Sequence, residues 1–240
     1  MTITYQNILP DPNNPIGQGG QNTGTVGPGF ASVEFISKSP ILKTRTNSGR
    51  MVARALAGHQ WDISIGYNPM TRAEFEPVYN FLLNRRGSLK PFFLSLPQYR
   101  VPQNTTFASY AAAGTGANIK AKVANISGST SMIIDGLSSS SGDPTVGDLF
   151  TITDSNDTNH TKTYRITQVE TNSVYDTTQP SVAERIIHFI PGLQKAVALD
   201  SVIKFHNPLV RVVMSSDVQQ YALNTSGLYS FSLKLEEAQP

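Results

Sequence analysis

Trp61-Asp62-Ile63-Ser64-Ile65-Gly66-Tyr67 alternates without a break. Trp61, Ile63, Ile65 and Tyr67 fall on one face and Asp62, Ser64 and Gly66 on the other, which is the period of two that a half-buried strand requires. The alternation extends upstream past Gly58 to Arg50, so residues 50–67 read as a hairpin about Gly58 with Trp61 as its anchor. Further upstream, Ser32-Val33-Glu34-Phe35-Ile36 is also strand-like.

Downstream the period changes to that of a helix. Thr71 and Glu74 form a capping-box signature, in which side chains satisfy orphan amides of the first turn. Phe75, Val78, Tyr79, Leu82 and Leu83 follow at helical spacing, and Arg85 and Arg86 stand where the macrodipole favours cations. Gly87 supplies the stop. Pro77 lacks the amide donor and clashes with the preceding turn, which predicts a kink, or a short first turn before a helix starting near Glu76. Residues 90–96, with Phe92, Phe93, Leu94 and Leu96, read as a strand that Pro97 ends.

Residues 98–116 are small and polar, as in a linker or long loop. Beyond them every patterned segment is β, with strands expected at 131–135, 148–154, 162–170, 185–190, 202–205, 209–214 and 228–236. Asp154-Ser155-Asn156-Asp157-Thr158-Asn159 is a turn cluster, hence a hairpin loop. No repeat recurs at a period of about 20–50 residues. The fold class is mainly β (α+β) with one helix.

The 240 residues are 39% hydrophobic and 15% charged, well under the roughly 25% charge of an average globular domain. Interface cores are depleted in charge, whereas a freely diffusing monomer keeps a charged surface, so the composition suits a subunit of an assembly. A net charge of +2 gives no phosphate-tracking face, which argues against a nucleic-acid partner. Without cysteine there is no disulfide, thiolate metal site or cysteine nucleophile. The first residues have no basic and apolar leader pattern, and no apolar run approaches ~18 residues, so the reading is a chain made in the cytosol with no membrane partner.

Residues 1–29 are rich in Pro, Gly, Asn and Gln, as in Pro10-Asp11-Pro12-Asn13-Asn14-Pro15 and Gly17-Gln18-Gly19-Gly20. Such a segment cannot offset its own ordering entropy and reads as an extended arm, either disordered or held by a neighbouring subunit. Contacts with neighbours are expected on this arm and on the 98–116 loop. Deleting the arm is expected to leave the monomer folded.

Reactive chemistry finds little support. Asp154, Asn156 and Thr158 begin like a calcium loop, but Asn159 and Arg165 stand where such a loop needs Gly and Glu. Gly17-Gln18-Gly19-Gly20 has neither a strand before it nor a Lys-Ser/Thr step after it, so it is no phosphate loop. His59, His160, His188 and His206 lack zinc spacing, and His188 is expected to face solvent or a polar interface. Ser201 and Lys204 match a bare Ser-x-x-Lys pattern at a strand start rather than on a helix. Asn104-Thr105-Thr106 and the other glycosylation-like triplets carry no meaning in a Ser/Thr/Asn-rich chain. No catalytic, cofactor-binding or metal residue is assigned, no cofactor is expected, and the chain does not read as an enzyme.

Two stretches resemble a known family when taken in order. The first is the Trp61 strand, the helix with Phe81, the Arg86-Gly87 step and the strand with Phe92 and Phe93. The second runs from His206-Asn207-Pro208-Leu209-Val210-Arg211-Val212 through Asp217-Val218-Gln219-Gln220-Tyr221 to Phe231-Ser232-Leu233-Lys234-Leu235-Glu236-Glu237. Between them lie Gly147-Asp148-Leu149-Phe150 and Lys162-Thr163-Tyr164-Arg165-Ile166. Together they resemble the distal tail proteins, and related baseplate or minor tail proteins, of tailed bacteriophages. That resemblance implies a β-sandwich or barrel-like tail-hub domain from residues 30–97 with 207–240, an inserted β-rich domain at 98–206, and the arm at 1–29. It also implies a virion structural protein, assembled in the host cytoplasm. The protein would pack with copies of itself as a ring, usually of six, between tail tube and tail tip or baseplate.

Two other functions compete. The inserted domain could recognise host-surface carbohydrate by stacking Tyr110, Tyr175 and Tyr221 on sugar rings. An enzyme acting on cell-wall polymer would need a clustered acid and base, which the sequence does not offer.

Overall fold

In the computed structural model the described residues are 7–13, 27–55, 58–113, 118–154, 160–171, 183–217 and 220–238. They fall into two compact units, Met1–Leu94 with Val212–Ala238, and Ser95–Arg211. The chain order begins β1 (Phe30–Lys38), β2 (Ile41–Arg45), β3 (Met51–Ala55), β4 (Gln60–Tyr67), α1 (Arg72–Arg85) and β5 (Phe92–Ser95). It continues with α2 (Thr105–Ala112), β6 (Lys120–Ala121), β7 (Ser131–Asp135), β8 (Leu149–Thr153), β9 (Thr163–Glu170), β10 (Arg185–Ile190) and β11 (Val202–Lys204). It closes with β12 (Leu209–Met214), β13 (Ala222–Leu223), β14 (Tyr229–Ser230) and β15 (Ser232–Glu237). The fold is mainly β, as the patterning predicts.

A five-stranded sheet in the order β1-β4-β15-β12-β5 organises the first unit. Its second strand is β4, whose alternation becomes strict burial of Trp61, Ile63, Ile65 and Tyr67. Leu233 and Leu235 lie opposite Ile65 and Ile63, and Phe35 stacks on Trp61 at 4.4 Å. Helix α1 closes this core with Phe75, Val78, Phe81 and Leu82 buried. Phe81 meets Phe92 edge-on at 5.5 Å, and Phe75 lies 4.6 Å from Tyr229. Each such side chain removed from water contributes about 1.5–3 kcal/mol.

The partner of the 60–67 strand differs from the expected one. β4 pairs with β1, from Phe30↔Tyr67 to Lys38↔Gln60, while β3 pairs with β2. Residues 41–55 are therefore a separate ribbon set into the β1–β4 connection. Alternation assigns two faces to each strand but does not choose its neighbour, and here β1 supplies Phe35 to the Trp61 core, which β3 does not.

Pro77 does not delay α1, which runs unbroken from Arg72. An interior proline costs about 3 kcal/mol. Four buried apolar residues on the same helix outweigh that cost. At the other end Arg86 takes the left-handed conformation with φ 55°, and Gly87 follows with φ 66°.

Part of residues 1–29 belongs to the subunit's own fold, which corrects both expectations for the arm. Leu9 is fully buried, its amide donates to the Phe93 carbonyl at 2.8 Å, and the Phe93 amide donates to the Asn7 carbonyl at 2.7 Å. The β5 edge is thus bridged by residues 7–9. Gly27 packs so closely on this segment that a Cβ would lie 2.5 Å from the Pro10 carbonyl carbon. Residues 1–6 and 14–26, including the Gly17–Gly20 run, lie outside the described residues.

The second unit is a closed six-stranded barrel in the order β10-β7-β6-β11-β8-β9. Its core gathers Phe150, Tyr164, Phe189 and Phe205, with ring centroids about 5 Å apart, as in the 5.4 Å Phe150–Phe189 contact. The strands at 131–135, 185–190 and 209–214 have the expected bounds. Where a linker is predicted, the chain instead forms α2. Asn104 caps it by accepting hydrogen bonds from the Thr106 and Phe107 amides at 3.0 and 3.3 Å, and Phe107 is fully buried against Phe205. Eight residues, six of them small, carry too little helical pattern to be read beforehand.

Candidate assembly surface

The ribbon β2–β3 differs from the rest of the described chain. Its register runs from Ile41↔Ala55 to Arg45↔Met51, and strand alternation puts Ile41, Lys43, Arg45 and Met51 on one face and Leu42, Thr44, Val52 and Arg54 on the other. Ile41, Leu42, Met51 and Val52 are 49%, 58%, 65% and 51% exposed, so neither face covers a core. The turn is well made. The Thr46 amide donates to the Arg50 carbonyl at 2.9 Å, and Gly49 at φ 78° supplies the left-handed step. An isolated two-stranded ribbon is marginal in water, and four large apolar side chains left on one are an interaction feature.

Its charge is also one-sided. Lys43, Arg45, Arg50 and Arg54 have no acidic partner among the described residues. From Phe35 to Trp61 the sequence contains no Asp or Glu. Setting these four cations aside leaves 15 Lys and Arg against 17 Asp and Glu, so the remaining chain is net acidic.

The two sequence stretches that carried the resemblance are brought together. The Glu237 carboxylate, buried at the end of β15, accepts a hydrogen bond from the Trp61 amide at 3.1 Å. Asp217 accepts from the Ser88 amide at 3.1 Å and from the Ser88 hydroxyl at 2.9 Å. These bonds hold the Asp217 carboxyl below its ordinary value. A Cβ on Gly87 would fall 2.5 Å from Asp217 Oδ1, which is why the step needs glycine. Arg85 does more than answer the macrodipole: it is buried, donates to Asn7 Oδ1 at 2.9 Å and lies 4.6 Å over the Phe81 ring.

The tyrosines considered for sugar stacking do not form one platform. Tyr110 is packed against the barrel core and its hydroxyl donates to the Gly136 carbonyl. Tyr175 lies outside the described residues. Tyr221 is 48% exposed, but it belongs to the first unit, on a cleft of about 710 Å³ with Tyr67, Phe231 and Gln220. Burial, together with the nearby Asp11 carboxylate, pushes the Tyr67 hydroxyl far above the ordinary phenol value.

The candidate reactive residues are dispersed. Ser201 is buried while Lys204 is exposed, as three-residue spacing on a strand requires, so the two point to opposite faces. His188 is half exposed and bonded to Glu170 at 2.6 Å, His59 meets the Ser37 hydroxyl at 2.8 Å, and His160 meets the Tyr164 hydroxyl at 2.7 Å. Among the described residues no group of three His, Asp or Glu side chains could hold a metal. Residues 155–159 of the calcium-like loop lie outside the described residues. No helix among them is long and apolar enough to cross a membrane.

The signal for the ribbon was present in the sequence, in the acid-free basic run and the Thr46-Asn47-Ser48-Gly49 turn, but its meaning depended on exposure of both faces.

No known protein family matches the chain. Over 235 residues it is 26% identical to the distal tail protein pb9 of Escherichia phage T5, an alignment that spans 96% of this chain and 98% of that protein. The likeness therefore extends through the ribbon, both units and the two joined motifs, and it supports a distal tail protein relationship.

Proposed function

We propose that this chain is a structural component of a bacteriophage tail, working by packing rather than by chemistry. The end-to-end likeness to a distal tail protein supports the tail role. The single structural observation behind the packing is the β2–β3 ribbon, which leaves large apolar side chains about half exposed or more on both faces. In the finer reading, copies of the chain close into a ring, of six in the expected case, between the tail tube and the tail tip or baseplate of the virion, with proteins as its partners.

Mass spectrometry of density-purified particles tests the tail role, and native mass spectrometry of the purified chain tests the ring. A stoichiometric band in particles and a single closed oligomer are expected. Absence from particles would end the reading.

A second reading keeps one supporting observation. Tyr221 stands half exposed at an aromatic cleft of the first unit, which supports carbohydrate recognition there rather than on the barrel. A glycan array on which Tyr221→Ala matches the unmodified chain removes it.

A further inference from the structure

We infer that the β2–β3 ribbon is clasped on both faces by an acidic groove of a different tail protein, an inference that rests on the tail reading above. Three observations lead there. The first is symmetry of exposure. A strand pair lying on a flat surface, such as a membrane, needs one apolar face, whereas here Ile41 and Met51 stand on one side and Leu42 and Val52 on the other. A groove buries both.

The second is charge. Lys43 and Arg45 stand on one face and Arg54 on the other, exposed and, with Arg50, without an acidic partner among the described residues, so the receiving walls must supply carboxylates to avoid stranding four cations at an interface. The ribbon has no Phe, Tyr or Trp to stack on bases, which sets it apart from single-strand nucleic-acid binders.

The third observation favours a different protein over a second copy as donor of that groove. Asp62 already pairs with Lys38, Glu76 with Arg72, Asp143 with Arg185 and Glu170 with His188. The solvent face of the five-stranded sheet carries Glu34, Asp62 and Glu236, and it sets Lys38 and Lys234 among them. Asp135 and Glu184 share Lys122, so these carboxylates too are already engaged.

The experiment places a photo-crosslinking residue at consecutive positions on opposite faces, Ile41→benzoylphenylalanine and Leu42→benzoylphenylalanine, in phage-producing cells, and irradiates purified particles. Both positions are expected to give a crosslink to the same non-self polypeptide, with the attachment sites flanked by Asp or Glu. In parallel, Lys43→Glu with Arg54→Glu is expected to lower incorporation into particles at least tenfold while leaving the purified chain's thermal midpoint unchanged. Homodimer crosslinks, a product from one face only, capture of lipid or DNA, or no crosslink at all would each overturn the inference while the tail reading stood. Absence of the unmodified chain from particles would instead overturn the tail reading.

Discussion

Gly87 shows how much one residue carries. Its φ of 66° and the 2.5 Å approach of Asp217 to its missing Cβ mean that Gly87→Ala meets both backbone strain and a carboxylate. A loss of about 1–3 kcal/mol by urea unfolding is expected. Asp217 itself has a depressed pKa because the Ser88 amide and hydroxyl donate to it. Glu74 has one because the Thr71 amide and hydroxyl donate to it. A depressed carboxyl contributes stability that is present above its unfolded pKa and is lost as pH falls through the folded value. The window opens downward from about 4.5 for Glu74 and 3.8 for Asp217. Thermal melts of Asp217→Asn and Glu74→Gln should therefore fall less steeply than the unmodified chain below those pH values. Tyr67 gives the opposite kind of case. Its buried hydroxyl has no hydrogen-bond partner among the described residues, so Tyr67→Phe is expected to raise stability by about 1 kcal/mol. A lower urea midpoint would contradict that.

At the scale of elements, α1 and the ribbon make opposite use of their apolar residues. In α1 the buried face holds the helix through Pro77, so Pro77→Ala restores a donor at the cost of a half-buried ring and should stabilise by about 1–2 kcal/mol. The ribbon leaves its large apolar side chains about half exposed or more. Replacing residues 41–55 with a short turn between the paired Lys38 and Gln60 should leave the thermal midpoint within a few degrees and abolish incorporation into particles. A collapse of the midpoint would mean that the ribbon supports its own fold. Helix α2 was illegible for a physical reason. Its stability comes from the Asn104 cap and from one Phe buried in a barrel built by strands far along the chain, and neither leaves a periodic trace. Asn104→Ala is expected to cost about 1 kcal/mol.

For the molecule as a whole, residues 7–13 change what a truncation does. With Leu9 fully buried and its neighbours bonded to Phe93, removal of residues 1–29 opens a core position and unpairs a sheet edge. The truncated chain is expected to lose about 2–5 kcal/mol, the cost of emptying a buried Leu site, before any question of assembly arises. An unaltered melt would return that segment to the role of a free arm.

The sequence by itself determined the buried face of β4, the Thr71 cap and Gly87 stop of α1, and the β-rich second half. Each of these is written in local periodicity or in composition. Tertiary structure decided which strands became neighbours: β1 rather than β3 beside Trp61, Glu237 beneath the Trp61 amide, Asp217 against Gly87, and Leu9 on the β5 edge. It also decided that residues 41–55 would stay uncovered on both faces. Periodicity tells a strand which side to bury, but the partner is chosen by the sum of long-range burial and hydrogen bonding, which no local window contains.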